Sequence, residues 1–344
     1  MKLRAGSLAH SRGRGSIRRM YRVLQVGLGP LGIKIAADLQ RRRLGEIVAA
    51  VDPAIPGRAL SELVTGARGD VRIAASLDEV REPVDIAIVA TVSDLRACAP
   101  TLLALAARGI SAVSTCEEMS WPWDRHPGVA KQLADAAKQH GVRMLGTGVN
   151  PGFVMDALAV AVTSACAAVR RVEIHRIQDA AHRRLPFQKK IGATLSVDEF
   201  DKLARAGTIR HVGLSESVGM VAATLGFAID RIDETIAPVI AERDLSCGLG
   251  AIRAGVARGV HQEAHAWAGG REVITLVFRA AIGEPDARDQ ILVDSDPPVD
   301  LTIRGGLHGD VSTSAVVLNS IRSLLAAPPG LHTMVTLPLA GCAP

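Results

Sequence analysis

Several things are scarce in this chain, and each scarcity excludes something. Its 344 residues include five cysteines (Cys98, Cys116, Cys166, Cys247 and Cys342), odd in number, scattered, and free of any Cys-x-x-Cys pair. That pattern argues against a disulfide framework and a structural zinc site, and for a reducing cytoplasm. Aromatics are few at 3%, and the 48% hydrophobic content rests on Ala, Val and Leu, which suits a globular chain. No apolar run approaches the roughly 18 residues of a membrane span. Internal repeats and low-complexity tracts are missing, and no cluster of ligating side chains points to a metal.

Acid is missing from one place in particular. Residues 1–19 carry Lys2, Arg4, Arg12, Arg14, Arg18 and Arg19 and no carboxylate, so the whole-chain charge of +5 becomes −1 once they are set aside. The segment has neither a secretory apolar core nor sustained amphipathic periodicity. It is expected to be a disordered basic tail, with Met20 as the start of the folded chain, and no nucleic-acid binding is expected. The length exceeds the usual size of a single core and implies two domains.

What is present begins with Val23-Leu24-Gln25-Val26-Gly27-Leu28-Gly29-Pro30-Leu31-Gly32, an apolar run entering a Gly-x-Gly-x-x-Gly turn, with an amphipathic segment leaving it. In a dinucleotide-binding turn, Gly27 permits the tight bend, Gly29 lets backbone N–H groups approach a pyrophosphate, and Gly32 lets helix and strand pack closely. Phosphates then sit at the positive end of the helix dipole. A second apolar strand, Glu46–Asp52, ends in an acid 20 residues beyond Gly32, near the spacing of a ribose-binding carboxylate. Asp52 favours NAD, because a carboxylate repels a 2′-phosphate. Arg58 in the following loop is the residue that would hold that phosphate and admit NADP.

Strands and helices alternate through residue 150, predicting a doubly wound parallel sheet in an α/β domain spanning 20–150. The strand Val84–Ala90 ends at Thr91, Val92 and Ser93, and the strand Ile110–Thr115 ends at Cys116, so these ends are expected to face the cofactor. Beyond Asn150-Pro151-Gly152 the pattern changes. A helix is expected over 153–166, others over 196–206 and 214–226, and β-branched alternating segments predict antiparallel strands between 251 and 303. This reads as an α+β substrate and dimerisation domain over 151–309, with a last helix, 310–327, packing back on the first domain.

Candidate chemistry follows the fifth strand. Glu117 and Glu118 are flanked by Cys116, Met119, Trp121 and Trp123. Such an apolar, aromatic setting desolvates an acid and disfavours its charged form, preparing it to accept a proton from an ammonium. Cys116 is the alternative, as the nucleophile of a phosphorylating semialdehyde dehydrogenase. No histidine adjacent in sequence supports its activation.

Four runs make the sequence more specific: Ser114-Thr115-Cys116-Glu117-Glu118-Met119, Gly146-Thr147-Gly148-Val149-Asn150-Pro151-Gly152-Phe153-Val154-Met155-Asp156, Arg184–Gly192, and Gly305-Gly306-Leu307-His308-Gly309-Asp310. Together with Ala327–Leu331 they resemble the 2,4-diaminopentanoate dehydrogenases and native amine dehydrogenases over roughly residues 20–338. The resemblance implies a dihydrodipicolinate-reductase-like fold, a homodimer, and NAD(P)-dependent oxidative deamination of an amine not alpha to a carboxylate, reversible as reductive amination of a ketone with ammonia. It assigns the catalytic acid–base to Glu117, with Glu118 as the fallback. The cofactor lies on Gly27 to Gly32, Asp52, Arg58, Thr91, Val92, Ser93 and Thr115. Asn150, Pro151, Phe153, Arg184, Gln188 and His308 are expected around the substrate, with Arg183, Arg184, Gln188 and Lys189 as candidates for a substrate carboxylate. Two readings compete: an imine reductase like dihydrodipicolinate reductase, whose His-His pair and Asp-x-Pro-Ser-Gly-Thr stretch are missing here, and a non-catalytic NAD(P)-binding sensor.

Overall fold

The structure is a computed structural model that describes residues 20–342, so the basic segment 1–19 lies outside the described residues. In chain order the first half runs β1 (Tyr21–Val26), α1 (Pro30–Arg41), β2 (Gly45–Val51), β3 (Ile73–Ala74), β4 (Ile86–Val89), α2 (Leu95–Ala107), β5 (Ser111–Ser114), α3 (Pro127–Gln139) and β6 (Arg143–Gly146). The second half runs α4 (Ala157–Thr163), β7 (Ala168–Asp179), α5 (Leu185–Lys190), α6 (Val197–Arg205), α7 (Leu214–Leu225), β8 (Arg231–Ile240), β9 (Leu245–Cys247), β10 (Gly250–Ile252), β11 (Ala257–Ala268), β12 (Arg271–Ala281), β13 (Arg288–Asp296), β14 (Val299–Arg304), α8 (Gly309–Ala326) and β15 (Gly330–His332).

The first sheet has seven strands in the order β15-β6-β5-β4-β1-β2-β3, all parallel. The chain reverses direction between β1 and β4, which opens a crevice at the carboxyl ends of those strands. Its strands are buried on both faces, as Ile86–Val89 shows with four buried residues in succession. Helix α8 packs against α1: Val317, Leu318, Ile321 and Leu324 join the core with Ile35 and Leu39, and Ser314 Oγ donates to Asp38 Oδ2 at 2.7 Å.

The second sheet has six strands in the order β14-β13-β7-β12-β11-β8. It is mixed rather than fully antiparallel, because β7 and β12 run parallel. One face buries Val172, Ile174, Ile274, Leu276 and Phe278 against residues of α4, α6 and α7. The other face carries alternating charged side chains that remain partly exposed.

Three departures from the sequence expectation have local causes. Helix α4 starts at Ala157 rather than 153, because the buried Asp156 carboxylate accepts from Gly152 N at 2.8 Å, Ala157 N at 2.6 Å and Ser217 Oγ at 2.8 Å. Those bonds hold residues 152–156 in turns that compete with a helix. Strand β8 carries Pro238 and many exposed residues, so it lacks a buried-strand signature; it is an edge strand, where proline is tolerated. Strand β15 is only three residues long and extends the first sheet by pairing with β6.

Candidate functional site

The glycine turn has the tolerances that a dinucleotide requires. A Cβ on Gly27, whose φ is +86°, would lie 2.4 Å from Ala90 O, and one on Gly32 would lie 2.1 Å from Gly27 O. Neither position accepts a side chain. A Cβ on Gly29 would meet nothing within 4 Å, so the backbone there fronts open space at the start of α1. Pro30 occupies the first helical position, and the first-turn N–H groups have no intrahelical acceptor. Asp52, just past β2, accepts from Leu28 N at 2.8 Å through Oδ2 and from Ala54 N at 3.0 Å through Oδ1. Each carboxylate oxygen keeps a second acceptor direction for a ribose hydroxyl. This cradle fits a dinucleotide.

A cavity of about 340 Å³ runs from this turn, past the ends of β4 and β5, to the second sheet. Of the residues expected from sequence, Gly29, Pro30, Leu31, Gly32, Thr91, Val92, Ser93, Thr115, Glu117, Asn150, Pro151 and Arg184 line it. Gly27, Leu28 and Asp52 sit behind, shaping the turn.

The adjacent glutamates separate clearly. Glu117 lines the cavity with its side chain 25% exposed, and its Oε1 lies 3.6 Å from Lys190 Nζ. Glu118 turns away from the cavity and is buried: Oε2 accepts from Leu95 N at 2.9 Å and lies 2.9 Å from His126 Nε2, while Oε1 is 3.7 Å from Arg210. It meets the first turn of α2, where a carboxylate is favoured by unpaired N–H groups and the helix dipole. The structure thus brings Glu117, and not the fallback Glu118, to the cavity. The loop carrying both acids can approach β6 because residue 146 is glycine; a Cβ there would lie 2.5 Å from the Met119 backbone.

Trp121 and Trp123, expected around Glu117, do not line the cavity. Trp121 bonds Asp124 through Nε1 at 2.8 Å, stands edge-on to Trp123, and packs against Gly219 of α7. The wall around Glu117 is cationic instead. Lys190 and Arg184 line it, and the mostly buried Arg183 lies 4.0 Å over the Phe187 ring. Arg183 and Arg184 share Asp310 Oδ1 at 3.3 and 3.1 Å. Arg176 is fully engaged, donating to Asp289 at 2.7 and 2.9 Å and to Leu307 O at 3.0 Å. Burial pushes the Arg176 guanidinium down, against the opposing pull of Asp289.

Asn150 bonds His211 Nε2 at 2.8 Å, and His211 stacks on Phe278 with ring centres 4.1 Å apart. Burial, reinforced by Lys190, Arg176, Arg183 and Arg210, holds His211 well below the usual histidine range. The ring is thus neutral near pH 7, and Asn150 Nδ2 donates to its Nε2.

Four further expected residues do not line the cavity. Arg58 donates to Glu62 at 3.1 Å on the surface and does not line the cavity. Gln188 is buried and ties its own loop together, donating to the carbonyls of Ala180, Ala181 and Arg183 and accepting from Gly248 N at 3.0 Å. Phe153 is partly buried and packs against the hydrophobic cluster beneath the six-stranded sheet. His308 sits at the N-terminus of α8, where Nδ1 accepts from Val311 N at 3.5 Å. Of the carboxylate candidates, Lys189 is exposed and outside the cavity, while its neighbour Lys190 reaches in. Sequence reasoning missed Lys190, Arg176, His211 and Asp310; they come from four separate segments, and only the fold assembles them. Cys116 is 1% exposed, and its Sγ donates to Ser93 O at 3.1 Å. Hydrogen bonding with Cys98 and burial push its thiol up, opposite to what a nucleophile needs. Among the described residues, no helix is long and apolar enough to cross a membrane.

The chain is 28% identical over 330 residues to 2,4-diaminopentanoate dehydrogenase from Acetoanaerobium sticklandii, covering 92% of this chain and 93% of the relative. The fold superposes on an amine dehydrogenase from Mycobacterium smegmatis with a TM-score of 0.82 at 21% identity, covering 93% of this chain and 97% of that one. A putative dehydrogenase from Bordetella bronchiseptica shares the fold more loosely, with a TM-score of 0.51 at 13% identity over 92% of this chain and 93% of that one. The family model of the 2,4-diaminopentanoate dehydrogenase C-terminal domain matches residues 153–343, and the chain belongs to that family.

Proposed function

We infer that this protein is an NAD(P)-dependent amine dehydrogenase, converting an amine that is not alpha to a carboxylate into a ketone and ammonia, and running in reverse as a reductive amination. The observation that carries the reading is the placement of Glu117: one cavity holds its carboxylate, the dinucleotide turn and the cationic wall.

The turn Gly27–Gly32 and Asp52 would hold the dinucleotide, and Thr91, Val92, Ser93 and Thr115 would border its nicotinamide. Bound there, the nicotinamide supplies a hydride acceptor or donor. Glu117 takes the proton of the substrate ammonium, because only a free amine has the lone pair that drives hydride off the adjacent carbon. Loss of hydride leaves a carbon–nitrogen double bond. Glu117 then serves as general base for the water that adds and returns a proton to the nitrogen, which departs as ammonia. In reverse, its negative charge stabilises the iminium electrostatically. Asn150, oriented by neutral His211, and Pro151 shape the wall beside it. With Arg58 occupied by Glu62, the Asp52 carboxylate supports NAD as the preferred cofactor, with NADP tolerated.

The same reading extends to a homodimer in a reducing cytoplasm. The lack of a disulfide among the described residues suits that compartment, and the homodimer rests on the family resemblance. A spectrophotometric panel of diamino acids, cyclic and acyclic amines and α-amino acids, run with NAD and NADP, tests the activity. Reduction of cofactor with α-amino acids alone, or with nothing, would overturn it.

A further inference from the structure

The segment between α6 and α7 is fixed on the second sheet and reaches the first half of the chain at three points. Buried Gln262 of β11 clamps the His211 backbone on both sides: its Oε1 accepts from His211 N at 2.8 Å, and its Nε2 donates to His211 O at 3.2 Å. The His211 ring lies nearly flat on Phe278 of β12. Held there, His211 meets Asn150 at 2.8 Å. Gly213 seats against Pro151: its φ is +119°, and a Cβ on it would lie 2.4 Å from Pro151 Cδ. Arg210 makes the third contact, with its Nη2 3.7 Å from Glu118 Oε1.

Glu118 shares one short turn with Glu117. Its other carboxylate oxygen is taken by Leu95 N and His126 Nε2, both from the first half of the chain. Arg210 is therefore the cation that the second half supplies to the back of the turn, while Glu117 stands on its front, facing the cavity. A carboxylate as buried as Glu118 depends on such a partner. The position of the Glu117 carboxylate follows the backbone of the turn, and a displacement of about 1 Å at a reacting group can cost up to about 10²-fold in rate.

We propose that Arg210 is a positioning residue: through Glu118 it fixes the turn that carries Glu117, and so sets the catalytic acid in register with the sheet that bears the substrate wall. This rests on the reading that Glu117 receives the substrate ammonium. Residues 210–213 thereby hold Glu117, Asn150 and Pro151 in one frame, although these three belong to the other half of the fold.

The test measures oxidation of 2,4-diaminopentanoate and of 2-aminopentane by NAD, using whichever wild type turns over faster. NAD titration by fluorescence quenching counts the folded sites, so kcat is read per site. R210M should lose about tenfold or more in kcat, with KM and NAD affinity near wild type. R210K, which keeps the charge, should restore most of the rate. E118Q removes the same contact from the other side, so E118Q/R210M should be no slower than the slower single variant, the signature of coupled residues. R210Q, a milder change, is read in parallel. Wild-type kcat in R210M and R210Q, a loss that R210K does not restore, or losses that multiply in the double variant overturn the proposal and leave the amine dehydrogenase reading standing. Loss of NAD binding in both R210M and R210Q would show a folding role and overturns it likewise. Failure of wild type to oxidise any amine overturns both.

Discussion

Adjacent glutamates of identical chemistry receive opposite assignments here, because one turn presents Glu117 to the cavity and Glu118 to a helix end. Glu117→Gln should retain NAD binding and lose amine oxidation by roughly 10²-fold or more, since the amide cannot accept the ammonium proton. Glu118→Gln should lower thermal stability through its weakened bond to Leu95 N while leaving measurable turnover. The reverse outcome, an active E117Q and an inactive folded E118Q, would move the role by one residue. Cofactor choice is decided at the same scale. The Arg58–Glu62 pair is exposed and lies outside the cavity. Asp52→Ala should raise the NADP to NAD ratio of kcat/KM, and Arg58→Ala should leave it nearly unchanged. A wild-type preference for NADP that vanishes in Arg58→Ala would reverse the assignment.

Among the elements, the Gly305–Asp310 loop depends on one buried pair. Arg176 and Asp289 are 3% and 1% exposed, and each also bonds the Leu307 backbone. Arg176→Met would leave Asp289 buried without its charge partner, at a cost of about 3–5 kcal/mol. Chemical denaturation should register that loss. The double variant Arg176→Met/Asp289→Leu should recover part of it, and failure to do so would mean that the loop contacts rather than the charges dominate. Gln188 acts on α5 in the same manner, so Gln188→Ala should increase hydrogen exchange over residues 181–191 more than in the sheets.

For the whole molecule, the exposed face of the six-stranded sheet makes stability depend on pH. Arg171, Glu173, His175, Glu263, His265 and Glu272 interlock across β7, β11 and β12. Partial burial disfavours the charged forms, yet hydrogen bonds outweigh it: Arg171 and His175 hold Glu173 down, Thr275, Arg171 and His265 pull Glu272 to about 2, and Glu263 and Glu272 raise His265. The carboxylates add stability above their unfolded range of about 4.3 and lose it as pH falls through the lowered folded values. His265 adds stability in full below its unfolded value of about 6.5 and loses it as pH rises through its raised folded value. The ladder therefore contributes most between about pH 4.5 and 6.5. Denaturation midpoints across pH should decline above that window less steeply in His265→Gln than in wild type; equal slopes would remove His265 from the account.

Legibility followed the range of the interactions. The glycine turn, the buried parallel strands and Asp52 are set by local periodicity and steric need, so the α/β architecture and the cofactor turn were readable from residues close in sequence. So was the pair of acids after the fifth strand. Which acid faces the cavity was not, because one side-chain bond to Leu95, 23 positions away, turns Glu118 inward. The wall was legible only in part: Arg183 and Arg184 stood out as carboxylate candidates, but Arg176, Lys190, His211 and Asp310 join them only when β7, α5, the segment before α7 and the start of α8 converge. Local propensity and hydrophobic pattern determined the frame. Long-range packing, which alone brings distant charges to a common cavity, decided the substrate side.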